Sequence, residues 1–114
     1  MYKICFYAPE THTEEIKNAM FAAGAGKFGN YECCAWQSLG VGQYRALSGS
    51  SPHHAEKDAL QRIPEHKVEM ICPDDCIKDV IKALVTAHPY EFPVFEVTRA
   101  EMDEFSEYAR ELLK

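Results

Sequence analysis

An echo within the chain limits its fold more than any other feature. Residues 6–24, FYAPETHTEEIKNAMFAAG, lie over residues 70–88, MICPDDCIKDVIKALVTAH, at an offset of 64. The overlay pairs Pro9 with Pro73, Ile16 with Val80, Ala19 with Ala83, Met20 with Leu84 and Ala23 with Ala87. In each copy a strand-like run, 2–8 or 67–72, stops at proline and acidic residues. Apolar residues then recur at helical spacing: Ile16, Ala19, Met20 and Ala23 in the first copy, Ile77, Val80, Ile81 and Leu84 in the second. Each half therefore reads β-α.

The punctuation between these runs sets the element order. THTE at 11–14 has capping-box spacing, and Gly24 is the left-handed residue expected past a helix end, which puts the first helix at 12–23. Between the halves, 31–39 and 43–47 are rich in aromatic and small apolar residues, and GVG at 40–42 joins them as a hairpin would. Residues 93–98 alternate as a last strand. The predicted order is β-α-β-β-α-β: an α+β fold, the ferredoxin-like plait, with both helices on one face of an antiparallel sheet. A second capping box, TRAE at 98–101, opens a third helix whose stripe of Met102, Phe105, Ala109 and Leu112 has to be buried. The chain so divides into a plait at 1–98 and a C-terminal amphipathic helix at 99–114, packed on the plait or on a neighbouring subunit. GSSPHH at 49–54 reads as a loop, and 55–63 as one or two helical turns before Pro64.

Composition narrows the partners. A chain of 114 residues, 46% hydrophobic, fits one domain with a modest core. Twelve basic against 18 acidic residues give −6, with no basic cluster, so nucleic acid and anionic membrane surfaces are not expected partners. MYKICFYAPE is too short and too soon acidic for a signal peptide, and no run approaches the ~20 apolar residues of a membrane span. A cytoplasmic location follows as the expectation. Cys5, Cys33, Cys34, Cys72 and Cys76, odd in number, then read as reduced structural thiols. Three residues separate Cys72 from Cys76, and no second close pair stands at zinc-ribbon spacing.

Two motifs carry candidate chemistry. GAGKFG at 24–29 fits G-x-G-x-x-G, but it leaves a helix and enters a strand, the reverse of the order that aims a helix N-terminus at pyrophosphate. Its glycines are expected to serve a sharp turn and close packing, with any anion contact through Lys27 and backbone amides. AHPYE at 87–91 ends the second helix, because Pro89 disfavours helical geometry at His88 and cannot continue the helix itself. There His88 either hydrogen-bonds the orphan carbonyls of the last turn or joins Glu91, with Tyr90, in a small metal or ligand site. Two ligands alone do not make a metal site. His53 and His54, adjacent and so pointing apart on an extended chain, read as solvated loop residues.

Taken together, GAGKFGNY (24–31), GVGQYR (40–45) with Leu47 and GSSP (49–52), Val68 and Glu69 before Pro73, and AHPYE (87–91) with Pro93 resemble the YqfO-type domain. That domain is inserted in many bacterial members of the Nif-three-like family and also occurs as a short free-standing protein. The resemblance covers about 2–98. It implies a fold similar to the PII and CutA proteins and self-association, usually as trimers. The paired-metal site of the long relatives lies in a flanking domain whose ligands have no counterpart here, so the resemblance does not imply an enzyme. SPHHAE at 51–56 departs from the Asn-Pro stretch and further glycines of relatives. The expectation is a non-catalytic homo-oligomer that binds a small molecule or partner protein. Lys27, Asn30, Tyr31, Arg45 and Tyr90 are its expected ligand contacts; in the alternative reading His88 and Glu91 hold a divalent metal ion, and a hydrolase like the long relatives ranks last.

Overall fold

The computed structural model describes residues 1–47, 49 and 59–114. β1 (Tyr2–Pro9) and β3 (Leu60–Cys72) are the centre of a four-stranded sheet ordered β2-β3-β1-β4, with β2 at Trp36–Arg45 and β4 at Phe95–Arg99. All three pairings are antiparallel, and the central register runs from Tyr2 opposite Cys72 to Pro9 opposite Glu65. α1 (Thr13–Ala22) and α2 (Ile77–Ala87) each follow a central strand, and a 3-10 turn at Asp74–Cys76 leads into α2. This is the predicted plait, followed by α3 (Asp103–Leu112).

The echo corresponds to the symmetry of the core. Ile16 and Met20 of α1, and their echo positions Val80 and Leu84 of α2, are fully buried. They close over Ile4, Phe6, Val68 and Met70, the inward side chains of the central strands. Each large apolar side chain so buried contributes about 1.5–3 kcal/mol.

Gly24 ends α1 as predicted. Its φ is +117°, Gly24 N–H donates to Phe21 O (3.1 Å), and Ala25 N–H donates to Met20 O (3.1 Å), the paired bonds of a Schellman motif. A Cβ at Gly24 would also lie 2.7 Å from Cys76 Sγ, so the turn has room for no side chain.

Neither predicted capping box forms. His12 is the N-cap of α1 and makes no side-chain cap bond. The Thr11 hydroxyl pairs with His12 Nδ1 (2.8 Å), and the buried Thr13 hydroxyl sits 2.7 Å from His66 Nδ1 and 3.3 Å from Pro9 O. The Thr13 hydroxyl thus ties the helix start to the sheet, and the Thr11 hydroxyl is taken up by its neighbour's ring. Thr98 and Arg99 stay in β4, opposite Lys3 and Tyr2, and α3 begins only at Asp103. Arg99 lies over the Tyr2 ring at 4.0 Å and pairs with Asp74 at 2.7 Å, so sheet pairing wins over a helix start.

Two further corrections concern β2 and β3. GVG at 40–42 is no turn: β2 runs straight through it, with Gly40 opposite Glu65 and Gly42 opposite Ile63. Strand structure begins at Trp36, and before it Tyr31 only bridges Phe28. Residues 60–63 belong to β3 and not to a helical turn, because they complete the long pairing with β2. Residues 55–58, and His53 and His54, lie outside the described residues.

The stripe of α3 is not buried within this chain. Phe105 and Leu112 are 56% and 67% exposed, and no α3 residue is buried. The helix meets the plait by another side, where Arg110 stands 5.6 Å from the Phe28 ring centroid.

Candidate functional site

The end of β2 and the loop between α2 and β4 converge beside β1 and β3. They enclose a cavity of about 590 Å³ lined by Tyr7, Gln43, Tyr44, Arg45, Ala46, Leu47, Glu65, Tyr90, Glu91, Phe92 and Val94. Strand alternation presents Tyr44 of β2 and Tyr7 of β1 to it, and Pro93, buried, anchors the loop that carries the rest.

His88 fastens that loop. Its backbone is extended (φ −74°, ψ 136°), as the residue before a proline should be. The ring does not turn back to the last carbonyls of α2. Nε2 lies 2.7 Å from Tyr7 O, and the Tyr90 N–H donates to Nδ1 at 3.1 Å. A backbone amide only donates and a carbonyl only accepts, so Nδ1 is the acceptor and Nε2 carries the hydrogen. Each ring nitrogen thus has a backbone partner, and a metal at either one would displace it.

Beyond His88, Tyr90 crosses to β3 and donates to Glu65 Oε2 at 2.6 Å. Burial foremost, then this bond and the nearby Glu65 and Tyr44, push the phenol far above the ordinary tyrosine range, so Tyr90 stays protonated and donates. Gly42 makes the arrangement fit: a Cβ there would overlap the Glu65 carboxylate. At the cavity wall the Tyr44 hydroxyl oxygen is closed off from solvent and has no hydrogen-bond partner among the described residues.

Of the residues singled out in the sequence, Arg45, Tyr90 and Glu91 meet in this cavity and His88 braces its wall. Lys27 lines a separate cavity of about 410 Å³ beside α3, with Met1, Phe28 and Arg110. Asn30 and Tyr31 are exposed in the loop before β2 and line neither space. Among the described residues no three His, Cys, Asp or Glu side chains are grouped so as to hold a metal. Cys72 is buried and its thiol is pushed up to about 11, chiefly by that burial, so it remains a thiol. Sequence reasoning missed Glu65, Tyr44, Tyr7 and Phe92. The available signal was GVGQY itself, because glycines inside a strand mark the close approach of another group.

A βαββαβ sheet with both helices on one face, and a cavity between the long hairpin and the post-α2 loop, defines an α+β module of the PII- and CutA-like class. The PII-like protein CutA from Nostoc sp. PCC 7120 superimposes with a TM-score of 0.66 over 96% of this chain and 91% of that one, at 18% identity, a likeness of fold alone. The Bacillus cereus protein related to NIF3 superimposes at 0.72 with 37% identity, over 88% of this chain and 25% of that one. The GTP cyclohydrolase 1 type 2 homolog of Halalkalibacterium halodurans is 34% identical over 97 residues, 85% of this chain and 26% of the relative. The chain is thus similar to one segment of NIF3-related proteins, in keeping with the YqfO-type resemblance. It spans about a quarter of the length of the curated relatives it matches. No family model matches it.

Proposed function

We propose that this domain is a non-catalytic, self-associating binding module whose small ligand occupies the cavity between β2, β3 and the post-α2 loop. One observation carries the reading. Arg45 and the adjacent pair Tyr90 and Glu91, distant from it in sequence, line a single cavity whose wall holds the Tyr44 hydroxyl, without a partner among the described residues. A buried hydroxyl without a partner is costly, and a ligand whose binding uncovers it and bonds to it relieves that cost. Self-association is supported by the uncovered α3 stripe and by the β2 edge, where Leu39 and Val41 are 62% and 73% exposed.

The rival readings have less geometric support. A divalent ion on His88 and Glu91 would have to break a His88 bond to Tyr7 or Tyr90. A hydrolase reading rests on the name of relatives of which this chain is a quarter. The groups of the described lining able to act as nucleophile or base are the Glu65 and Glu91 carboxylates and the tyrosine phenols, and Glu65 is held by Tyr90. The test is a ¹⁵N-resolved NMR titration with GTP, ATP, amino acids, simple amines, zinc and copper. The expected result is that one organic compound shifts the amides of Tyr44, Glu65, Tyr90 and Phe92 together. Shifts confined to other surfaces, or metal shifts abolished in His88→Asn and Glu91→Gln, contradict it.

A further inference from the structure

Building on that cavity as a ligand site, we infer that its ligand is an organic cation, an ammonium or amidinium group on an apolar body, rather than a phosphate ester. The described lining carries two carboxylates, Glu65 and Glu91, and one guanidinium, Arg45. Phosphate groups need converging cations or backbone amides, and one guanidinium beside two carboxylates does not supply them.

The Glu65 carboxylate is also held ready. The Tyr90 phenol donates to Oε2, and the bare Gly42 gives the carboxylate room beside β2. Because the phenol stays protonated, it fixes this charge without cancelling it. The same lining holds the rings of Tyr7, Tyr44, Tyr90 and Phe92, whose π faces are negative, and Tyr90 touches the carboxylate itself. A carboxylate in a cavity lined by aromatic rings favours a cationic head. At the mouth, Leu47, Phe92 and Val94 are 65%, 80% and 69% exposed, apolar surface that the body of such a ligand would cover.

The experiment titrates the full chain with 2-phenylethylammonium, 2-phenylethanol, phenylacetate and ATP, followed by the amide shifts of Tyr44, Glu65, Tyr90 and Phe92. The ammonium compound should bind about tenfold more tightly than the alcohol, the worth of one charge-assisted hydrogen bond, and the two anions more weakly still. Glu65→Gln should erase the tenfold preference, whereas Tyr90→Phe, which keeps the carboxylate, should retain it. Added salt should weaken the ammonium compound and leave the alcohol unchanged. That salt comparison needs no variant and decides the matter should Glu65→Gln fail to fold. Tighter binding of phenylacetate or ATP at the same amides overturns the cation inference while leaving the ligand site standing. Shifts from none of the four probes overturn the cation inference, and the site reading falls with it if the wider titration is also silent.

Discussion

In the half built from β1, β3, α1 and α2, Ile4, Phe6, Ile16, Met20, Val68, Val80 and Leu84 are fully buried, whereas along β2, the post-α2 loop and α3 the residues Trp36, Leu39, Val41, Phe92, Val94, Phe105 and Leu112 are each more than half exposed. Both regions are rich in apolar side chains, so composition does not separate them. The first is closed by its own chain, strand alternation meeting helical spacing across one interface. The second presents an edge strand, a cavity rim and a helix stripe to whatever lies outside, and interaction surfaces are apolar in this way. The closed packing thus covers the central strands, and the exposed apolar surface lies outside them.

The largest effect tests that division directly. Phe6→Ala in the closed half should cost about 3–5 kcal/mol in urea unfolding. Phe105→Ala in α3 should stay within about 0.5 kcal/mol for the dissociated chain and act instead on mass per assembly. Comparable stability losses in the two variants would erase the contrast.

Within the turn after α1, two glycines sharpen it. Gly24 has φ +117° and Cys76 Sγ 2.7 Å from its missing Cβ, while Gly29 has φ +57° and nothing within 4 Å. Gly24→Ala should cost about 2–3 kcal/mol, backbone strain plus displacement of α2, and Gly29→Ala about 1–2 kcal/mol from the left-handed backbone alone. Equal costs would mean that the approach of Cys76 constrains nothing.

His88 joins the two regions, since its ring links Tyr7 of β1 to the loop at Tyr90. His88→Asn should cost about 1–3 kcal/mol by stranding a buried carbonyl, more than the loss of a simple helix cap. A loss of only a few tenths would return His88 to a terminator of α2.

The smallest effect depends on pH. Lys3, 2.8 Å from Glu69, holds that carboxyl below the ordinary glutamate value, chiefly through the hydrogen bond. A carboxyl with a depressed folded pKa gives stability that is present above its ordinary pKa and lost as pH falls through the folded one. Lys3→Ala should flatten the stability curve slightly on that acid side. An unchanged curve would show the pair to be without net effect, as many surface pairs are.

The legible part of the sequence was the part with two independent periodicities. Ile16, Met20, Val80 and Leu84 announced the helices, and the echo announced their common face. The capping boxes misled, because the sheet competes for these residues: the Thr13 hydroxyl reaches His66 of β3, and Thr98 stays in strand register with Lys3. GVG misled because glycine marks a turn and a close approach alike, and here the approaching group is the Glu65 side chain from the neighbouring strand. The cavity was half legible. Arg45, Tyr90 and Glu91 were found by motif, but Tyr7, Tyr44 and Glu65 meet them only through the β1–β3–β2 register, a long-range property that local pattern does not carry.

The central claim is that the cavity keeps a polar group unsatisfied for a ligand, and thermal unfolding of Tyr44→Phe in the ligand-free protein tests it most directly. If the hydroxyl is buried without a partner, its removal should raise the unfolding midpoint by a few degrees, about 1 kcal/mol, while 2-phenylethylammonium binds less well. A midpoint lowered by a similar amount would show that the hydroxyl is already hydrogen-bonded in the free protein, and would contradict the account.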